Sequence, residues 1–471
     1  MAIGFGSLQL HRKSLLLGML ALLLSDFSLA APSKLPSITP YTKKPGIEDN
    51  SSFCYVHRDK EFIDGQNIKA KVKIASVSKL FTSYYVVKSV GPQFRFKTHF
   101  YYDKETHDLY VYGSRDPFMG QRTLQFIVSE LNRLGIKDVR NFYFDKRFSV
   151  YLDVEVSGPP MWSDTKMPSE VRYHGRSQKG TKRDLRRFFT QSKKNYLALK
   201  TSARKQGIKM TESIQLKVLN IVPLDGQTTP LKPTGIAYEY VSAPVLQYLK
   251  SLNVHSNNYV ADELVEAFGG IEKMNLFFQR DIGLTDADFE FYTGSGLWKN
   301  SPEVPGSESS RTANSKDNLA TCEAVMNVLF GLERAMLKFS LKMSDIVMVA
   351  SQDRGSLTLY KVYKSEELNN AVLAKTGTLN QAASLAGEIS SGSGEYFFGI
   401  FFQTENRSAT TRATVYRDQI MRQLMKEVGG GKDPIAYKPQ EFFPFDNNSV
   451  LRLIKDEKPP EGAIKPVAMV P

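Results

Sequence analysis

The sequence contains very little cysteine. Only Cys54 and Cys322 occur among its 471 residues, which excludes a scaffold built on several disulfide bonds. Cys54 lies in a strand-like segment and Cys322 in a helix-like one, and the sequence does not decide whether they pair. We expect two unpaired, buried thiols rather than a bridge.

Histidine clusters and long apolar runs are also missing. The six histidines are scattered, and no group of histidine, cysteine and carboxylate residues has the spacing of metal ligands. We therefore expect no metal and no other cofactor, and a metallopeptidase is disfavoured. Outside the first thirty residues, no apolar run reaches the roughly 20 residues that a membrane-spanning helix needs. We expect a soluble mature protein.

The N-terminus has the pattern of a secretory signal peptide. Basic residues precede an apolar run over 15–24. Ser28-Leu29-Ala30 then places small residues at the positions that a signal peptidase recognises before its cleavage site. An uncleaved anchor helix is the alternative, but the run is short for a membrane span. We expect cleavage after Ala30 and export to the periplasm.

Positive charge is concentrated in one segment. The chain has a net charge of +13, and residues 171–209 hold thirteen Lys or Arg against one acid, Asp184, a local net charge of +12. This segment has no clear periodicity. It is either a contact for an anionic polymer or a flexible, solvated loop that keeps the chain soluble. Nucleic acid is disfavoured because the segment matches no base-reading module.

Hydrophobic periodicity predicts a small α/β region followed by a second region that begins near residue 241. The first has predicted strands over 97–102, 108–112, 141–144 and 150–156 and a helix over 124–134. The second has predicted helices over 260–268, 319–338 and 411–428, a strand over 371–378, and a hairpin of 384–390 with 395–403. The Pro-rich tail from residue 432 is predicted to wrap the surface or fray.

Ser76 and Lys79 form the first candidate catalytic motif, Ser-x-x-Lys. A serine hydroxyl becomes a good nucleophile only when a neighbouring base removes its proton. A lysine can be that base if desolvation keeps its amine partly neutral. At the start of a helix, residues three apart project from the same face. The same pattern occurs at 163–166 and 202–205, but neither of those segments opens an apolar helix. Ser76 is therefore the predicted nucleophile.

Two further motifs follow in the chain. Ser256 and Asn258 supply a second hydroxyl and an amide at a predicted loop-to-helix junction, whereas the similar Ser251-Leu252-Asn253 lies inside a helix-like stretch. Lys375-Thr376-Gly377-Thr378 occurs once, on a predicted strand. Lys375 and the two threonine hydroxyls suit a substrate with a free α-carboxylate, and Gly377 lets another chain segment approach closely. Backbone N–H groups of Ser76 and Thr378 are the predicted oxyanion donors.

In this order, the three motifs resemble those of the penicillin-binding proteins and serine β-lactamases. Segments 94–98, 108–111, 113–117, 294–297 and 385–387 are similar to those of the class C D-alanyl-D-alanine carboxypeptidase/endopeptidases, the penicillin-binding protein 4 type. The resemblance extends from about residue 50 to residue 405. It implies hydrolysis of peptidoglycan stem peptides and cross-links through an acyl-enzyme on Ser76, with β-lactam antibiotics as covalent inhibitors.

The resemblance also implies an α/β (α+β) fold. A transpeptidase-like catalytic domain, with an antiparallel sheet, flanking helices and an all-α part, is split by a small inserted α/β domain. We expect the catalytic domain over 31–95 and 236–430, the inserted domain over 96–235, and a tail over 431–471, after a signal peptide over 1–30.

Departures from the family pattern affect substrate selectivity. Thr293 stands where relatives usually have Asp before Gly-Ser-Gly-Leu, and Trp298 follows that leucine. Lys361 stands where family members often carry an arginine. Asp116, Lys361 and Asn380 are the candidates for recognising diaminopimelate-type groups.

Two other functions compete with this interpretation. A serine β-lactamase must hydrolyse its acyl-enzyme quickly, and the usual devices, a Glu-x-x-Leu-Asn-like segment or a tyrosine in place of Ser256, are not found. A catalytically idle protein that binds the wall or senses β-lactams is the second alternative, which Thr293 leaves open.

Overall fold

The structure is a computed structural model and describes most of the chain. The described residues are 36–60, 62–154, 177–224, 235–297, 316–365, 368, 371–431, 435, 437–439 and 441–454, without the side chains of residues 359 and 361. The predicted signal peptide over 1–30 and the Ser-x-x-Lys pattern at 163–166 lie outside these residues. Within the described ranges, no helix combines the length and apolar character needed to span a membrane.

The described residues form strands and helices in a mixed order. The strands are β1 (Ser52–His57), β2 (Asp64–Gln66), β3 (Val72–Lys73), β4 (Lys97–Asp103), β5 (Asp108–Tyr112), β6 (Asp138–Phe144), β7 (Lys217–Pro223), β8 (Ile236–Val241), β9 (Phe289–Glu290), β10 (Leu319–Ala320), β11 (Val372–Leu379), β12 (Ala382–Ser391), β13 (Gly394–Gln403) and β14 (Arg452–Ile454). The α-helices are α1 (Thr39–Thr42), α2 (Ser78–Val90), α3 (Gln121–Arg133), α4 (Gln178–Gln191), α5 (Tyr196–Lys205), α6 (Val245–His255), α7 (Asn258–Ala267), α8 (Gly270–Asp281), α9 (Cys322–Leu337) and α10 (Arg407–Glu427).

A five-stranded antiparallel sheet, in the order β11-β12-β13-β1-β2, carries the third motif. Both faces are buried, because successive side chains of a strand point to opposite sides. On β13, Phe397 and Phe401 join the core that contains α2 and α9, whereas Phe398 and Phe402 join the core that contains α10. The predicted hairpin of 384–390 with 395–403 is present, with both strands longer than expected.

A six-stranded sheet, in the order β14-β8-β4-β5-β6-β7, contains the predicted inserted α/β region. The β5-β6-β7 pairs are parallel and the others antiparallel. Two of its strands, β8 and β14, come from outside residues 96–235. The sheet therefore continues past the boundary expected near residue 235 and takes a strand from the C-terminal tail.

Two local predictions in this region, a strand over 150–156 and a fraying tail, are wrong in the parts that the structure describes. Residues 150–154 form turns rather than a strand, because side chains of α4 bind their backbone: Thr181 Oγ1 accepts from Val150 N at 3.2 Å and an Asp184 carboxylate oxygen accepts from Leu152 N at 3.2 Å. The tail does not fray over 441–454. Its Phe443 and Phe445 are buried in the core of the six-stranded sheet, and β14 pairs with β8.

The described part of the basic segment, residues 177–209, is mostly helical and is not a loop. Leu185 and Phe188 of α4, and Tyr196 and Leu199 of α5, face the core of the six-stranded sheet, and the Ser177 side chain caps α4 by accepting from Gly180 N. Apolar residues three or four apart anchor each helix. The cations are therefore displayed on ordered helical faces.

The expectation of two free thiols is also wrong. Cys54 and Cys322 form a disulfide, with their Cα atoms 6.1 Å apart. Cys54 points from β1 toward the face of the sheet against which α9 packs, and Cys322 is the first residue of α9. The bond therefore links the sheet to a helix of its covering layer.

This disulfide should contribute strongly to stability. It closes a loop of 268 residues and so restricts the unfolded chain. We expect the Cys54→Ala/Cys322→Ala variant to lose about 2–5 kcal/mol of unfolding free energy, measured by urea unfolding followed by circular dichroism. Cys54→Ala alone should lose about as much, because one cysteine cannot form the bond. An unfolding free energy equal to that of the oxidised protein would contradict this expectation.

Candidate active site

Ser76 and Lys79 meet at the start of α2. Ser76 lies in a 3₁₀ turn, Ala75–Val77, directly before the helix, and the fully buried Lys79 Nζ donates to Ser76 Oγ at 2.9 Å. The apolar residues that follow bury the helix in the core, as the sequence predicted. The spacing of three therefore places the amine against the hydroxyl.

Two glycines allow other segments of the chain to approach the serine turn, Ala75–Val77, closely. A Cβ on Gly377 of β11 would lie 3.0 Å from Ser76 N and 2.8 Å from Ile74 O, and a Cβ on Gly296 would lie 2.0 Å from Ala75 O. Ala75 itself has a φ of +50°, a left-handed conformation that is costly for a residue with a side chain. The surrounding segments hold the serine turn in this conformation.

The second motif lies at the junction of α6 and α7. Ser256 ends α6 in a left-handed conformation with a φ of +55°, and Asn257 caps α7 by accepting from Val260 N. Asn258, the first residue of α7, accepts from Lys79 Nζ through its Oδ1 at 2.7 Å. The competing Ser251 is buried within α6.

The third motif joins the second through Lys375. Its fully buried Nζ donates to Ser256 Oγ at 2.9 Å and to Thr376 O at 2.6 Å. Burial holds the pKa of Lys375 well below its usual value, and the nearby charge of Lys79 lowers it further. Two serine–lysine pairs, Ser76 with Lys79 and Ser256 with Lys375, thus lie side by side.

An acid that the sequence reasoning missed also belongs to this cluster. Lys79 Nζ donates to Ser295 O at 2.7 Å, and Ser295 N donates to Asp262 Oδ1 at 2.8 Å. Burial raises the pKa of Asp262 to about 7, while the charge of Lys79 and hydrogen bonds from Ser295 oppose the rise. Asp262 lies four residues after Asn258 on α7, so the two residues lie on the same face of the helix. This spacing is the feature of the sequence that could have identified Asp262 as part of the site.

Thr293 closes the loop that carries Ser295. Its Oγ1 donates to Leu297 O at 2.7 Å and accepts from Gly296 N at 3.1 Å. The loop is also tied to α2, where Thr82 Oγ1 donates to Gly294 O at 2.7 Å. The threonine that replaces the usual acid therefore has a structural role in the turn.

The substrate-recognition candidates are not all brought together. Thr376 and Thr378 lie on β11 beside the cluster, and Asn380 is exposed at the turn that follows. The carboxylate of Asp116 is buried elsewhere, accepting from Phe118 N at 2.9 Å and Tyr248 OH at 3.0 Å, and burial raises its pKa to about 7. Lys361 begins a 3₁₀ helix, and its side chain lies outside the described part of the structure.

Comparison with protein families identifies the chain. Residues 37–171 and 177–424 match the D-Ala-D-Ala carboxypeptidase 3 (S13) family, a match that contains all three motifs. The chain belongs to the S13 peptidase family. This membership confirms both the resemblance to penicillin-binding protein 4 enzymes and the identification of the chain as a serine peptidase.

Solved structures similar to this S13 peptidase share its fold. A predatory peptidoglycan endopeptidase from Bdellovibrio bacteriovorus is 28% identical, with 86% of this chain and 98% of that chain covered and a TM-score of 0.75. A second predatory endopeptidase of that bacterium, in complex with an immunity protein, is 27% identical (85% and 99% covered, TM-score 0.74). Penicillin-binding protein 4 from Haemophilus influenzae is 17% identical (83% and 98% covered, TM-score 0.55). A search of curated proteins finds no match. The expected transpeptidase-like fold is confirmed.

Asp262 should set the pH at which Lys79 loses its proton. Asp262→Asn keeps an oxygen that can accept from Ser295 N but removes the negative charge that Asp262 carries above about pH 7, a charge that favours the ammonium form of Lys79. Lys79 then deprotonates at a lower pH, and we expect the acidic limb of the pH profile of penicillin acylation to move to lower pH. Stopped-flow acylation rates between about pH 5 and 9 measure this shift.

Glu263→Gln is the matched control for this experiment. Glu263 is the next residue of α7, and burial also raises its pKa to about 7, but the structure shows no hydrogen bond from it to the Ser295 loop among the described residues. Its replacement should leave the acidic limb in place. Equal profiles for Asp262→Asn and the parent protein would show that the charge of Asp262 has no such effect.

Proposed function

We propose that this chain is an exported serine DD-peptidase that hydrolyses peptidoglycan through an acyl-enzyme on Ser76. It removes terminal D-alanine from stem peptides and also cuts cross-links between D-alanine and diaminopimelate-type residues. The observation that carries this proposal is the pair of 2.9 Å contacts, Lys79 Nζ to Ser76 Oγ and Lys375 Nζ to Ser256 Oγ, in a member of the S13 family.

Acylation begins with the Ser76–Lys79 pair. The neutral amine of Lys79 takes the proton of Ser76 Oγ while this oxygen attacks the carbonyl carbon of the penultimate D-alanine. Asn258 Oδ1 and Ser295 O accept from Lys79 Nζ at 2.7 Å each and so orient the amine. The N–H groups of Ser76 and Thr378 stabilise the negative oxygen of the tetrahedral intermediate.

The Ser256–Lys375 pair protonates and binds the leaving group. When the peptide bond breaks, its nitrogen takes a proton from Ser256 Oγ, and the proton that Lys79 took from Ser76 passes to Ser256 Oγ, so that Lys79 is neutral again. Lys375, with the hydroxyls of Thr376 and Thr378, binds the α-carboxylate of the departing D-residue. Water then attacks the acyl carbon, with Lys79 as base, and releases Ser76 and the shortened peptide.

The solved relatives support the endopeptidase part of this function, and the description of the family supports the carboxypeptidase part. Those at 27–28% identity are described as predatory endopeptidases, one of them as a peptidoglycan endopeptidase, and one was obtained acylated by penicillin G. A terminal D-alanine and a D-Ala-to-diaminopimelate cross-link both present a carboxylate on a D-configured leaving residue, so one site suits both bonds. The proposal of export and of a periplasmic location rests on the signal-peptide pattern in residues 1–30.

A penicillin should add once to the mature protein, on Ser76. Its strained amide mimics the D-Ala-D-Ala bond, and the resulting acyl-enzyme is released slowly. Intact mass followed by peptide mapping locates the adduct. Ser76→Ala should remain unlabelled, and an adduct on Ser202 would show that the wrong motif was chosen. Rapid loss of the adduct with hydrolysed drug would favour the β-lactamase alternative.

Purified protein should convert cross-linked dimeric muropeptides to monomers and remove terminal D-alanine from pentapeptides. We expect Lys375→Ala to lose both activities together, by at least about a hundredfold in kcat/KM, because a buried charged contact to the carboxylate is lost in both reactions. Chromatography of the products with mass detection measures both. Dimers that persist while pentapeptides are trimmed would leave a plain carboxypeptidase, and no turnover of either substrate would favour the idle wall-binding alternative.

A further inference from the structure

A groove lies between helix α4 and strand β7, at the edge of the six-stranded sheet. It encloses about 560 Å³ and shares no lining residue with the serine–lysine cluster. Its walls combine cations, amides and apolar side chains. Its lining residues include Asn141, Lys182, Arg186, Phe189, Leu219 and Asn220.

Two cations of α4 give the groove its charge. Lys182 and Arg186 are four residues apart and therefore lie on one face of the helix, and within the described residues neither has a carboxylate at ion-pair distance. Asp184, the acid of the basic segment, is buried, with an oxygen that accepts from Leu152 N. The groove thus presents positive charge that its neighbours do not cancel, and carboxylates bind well to such groups.

The opposite wall suits a carbohydrate. Leu219 of β7 is 63% exposed and Phe189 is half-buried, which provides an apolar surface against which the flat face of a sugar ring can pack. Asn220 Nδ2 donates to Asn141 Oδ1 at 3.0 Å, so the two amides form a pair of fixed orientation beside this surface. A ligand with sugar rings and carboxylates matches both walls.

We propose that this groove is an exosite for a peptidoglycan strand. Lys182 and Arg186 contact stem-peptide carboxylates, while sugar rings pack on Leu219 and Phe189. The inference rests on the proposed function, because the ligand is the polymer that the enzyme cuts. Binding at a second place on the same polymer raises the concentration of cleavable bonds near Ser76.

The same helix offers a matched control. Lys179 and Arg183 are also four residues apart and exposed, yet they do not line the groove. Lys182→Gln/Arg186→Gln and Lys179→Gln/Arg183→Gln therefore remove the same charge from the same helix. A general electrostatic attraction should respond equally to both pairs, whereas a site in the groove should respond to the first pair only.

Binding is measured by co-sedimentation with purified sacculi, from which protein and other wall polymers have been removed. Both pairs are placed in the Ser76→Ala protein so that cutting does not remove the ligand, and thermal unfolding verifies that each variant is folded. We expect the groove pair to weaken binding about tenfold or more and the control pair by less than about threefold, since a tenfold change corresponds to the loss of one good contact. Sacculi whose carboxylates have been capped as amides should bind the Ser76→Ala protein about as weakly as the groove variant binds untreated sacculi.

Equal weakening by both pairs would overturn the exosite in favour of non-specific attraction, and unchanged binding by both would overturn it in favour of a solubilising role. Undiminished binding to amide-capped sacculi would overturn the recognition of carboxylates. Failure of the proposed function is seen separately, as absence of a penicillin adduct on Ser76 in the parent protein.

Discussion

The burial of Lys79 is the constraint on which the active site depends. A lysine amine without access to water must have hydrogen-bond acceptors around it. Lys79 donates to Ser76, Asn258 and Ser295, each from a different part of the chain. The start of α2, the start of α7 and the Ser295 loop must therefore converge for the protein to fold well. The hydrogen bonds that satisfy the buried amine of Lys79 are therefore the same contacts that position it for catalysis.

Much of this convergence was predictable because it is encoded locally. The spacing of Ser76 and Lys79, the junction that presents Ser256 and Asn258, and the strand that bears Lys375 each follow from a few adjacent residues and their periodicity. The resemblance of the ordered motifs to a known family then supplied the fold. The helices of the basic segment were not predicted because Lys and Arg residues are at least as numerous as the apolar residues that form the buried face of each helix. Asp262 was not predicted because no familiar motif includes it.

Long-range relations could not be predicted in the same way. The disulfide joins residues 268 positions apart, and the tail strand β14 pairs Arg452 with Glu239 of β8, more than two hundred residues earlier in the chain. Asp116 was chosen for its place in a family-like segment, yet its carboxylate is buried against Tyr248. Which strands share a sheet, and which way a side chain faces, depend on packing between segments that the sequence pattern of either one does not contain.

The Cys54–Cys322 bond has a consequence for biosynthesis. Disulfides form in oxidising compartments, whereas thiols are kept reduced in the cytosol, so the link between β1 and α9 forms only under oxidising conditions. The reduced chain is then a less stable protein than the oxidised one. The redox state of the compartment in which the chain folds therefore helps to decide how stable this peptidase becomes.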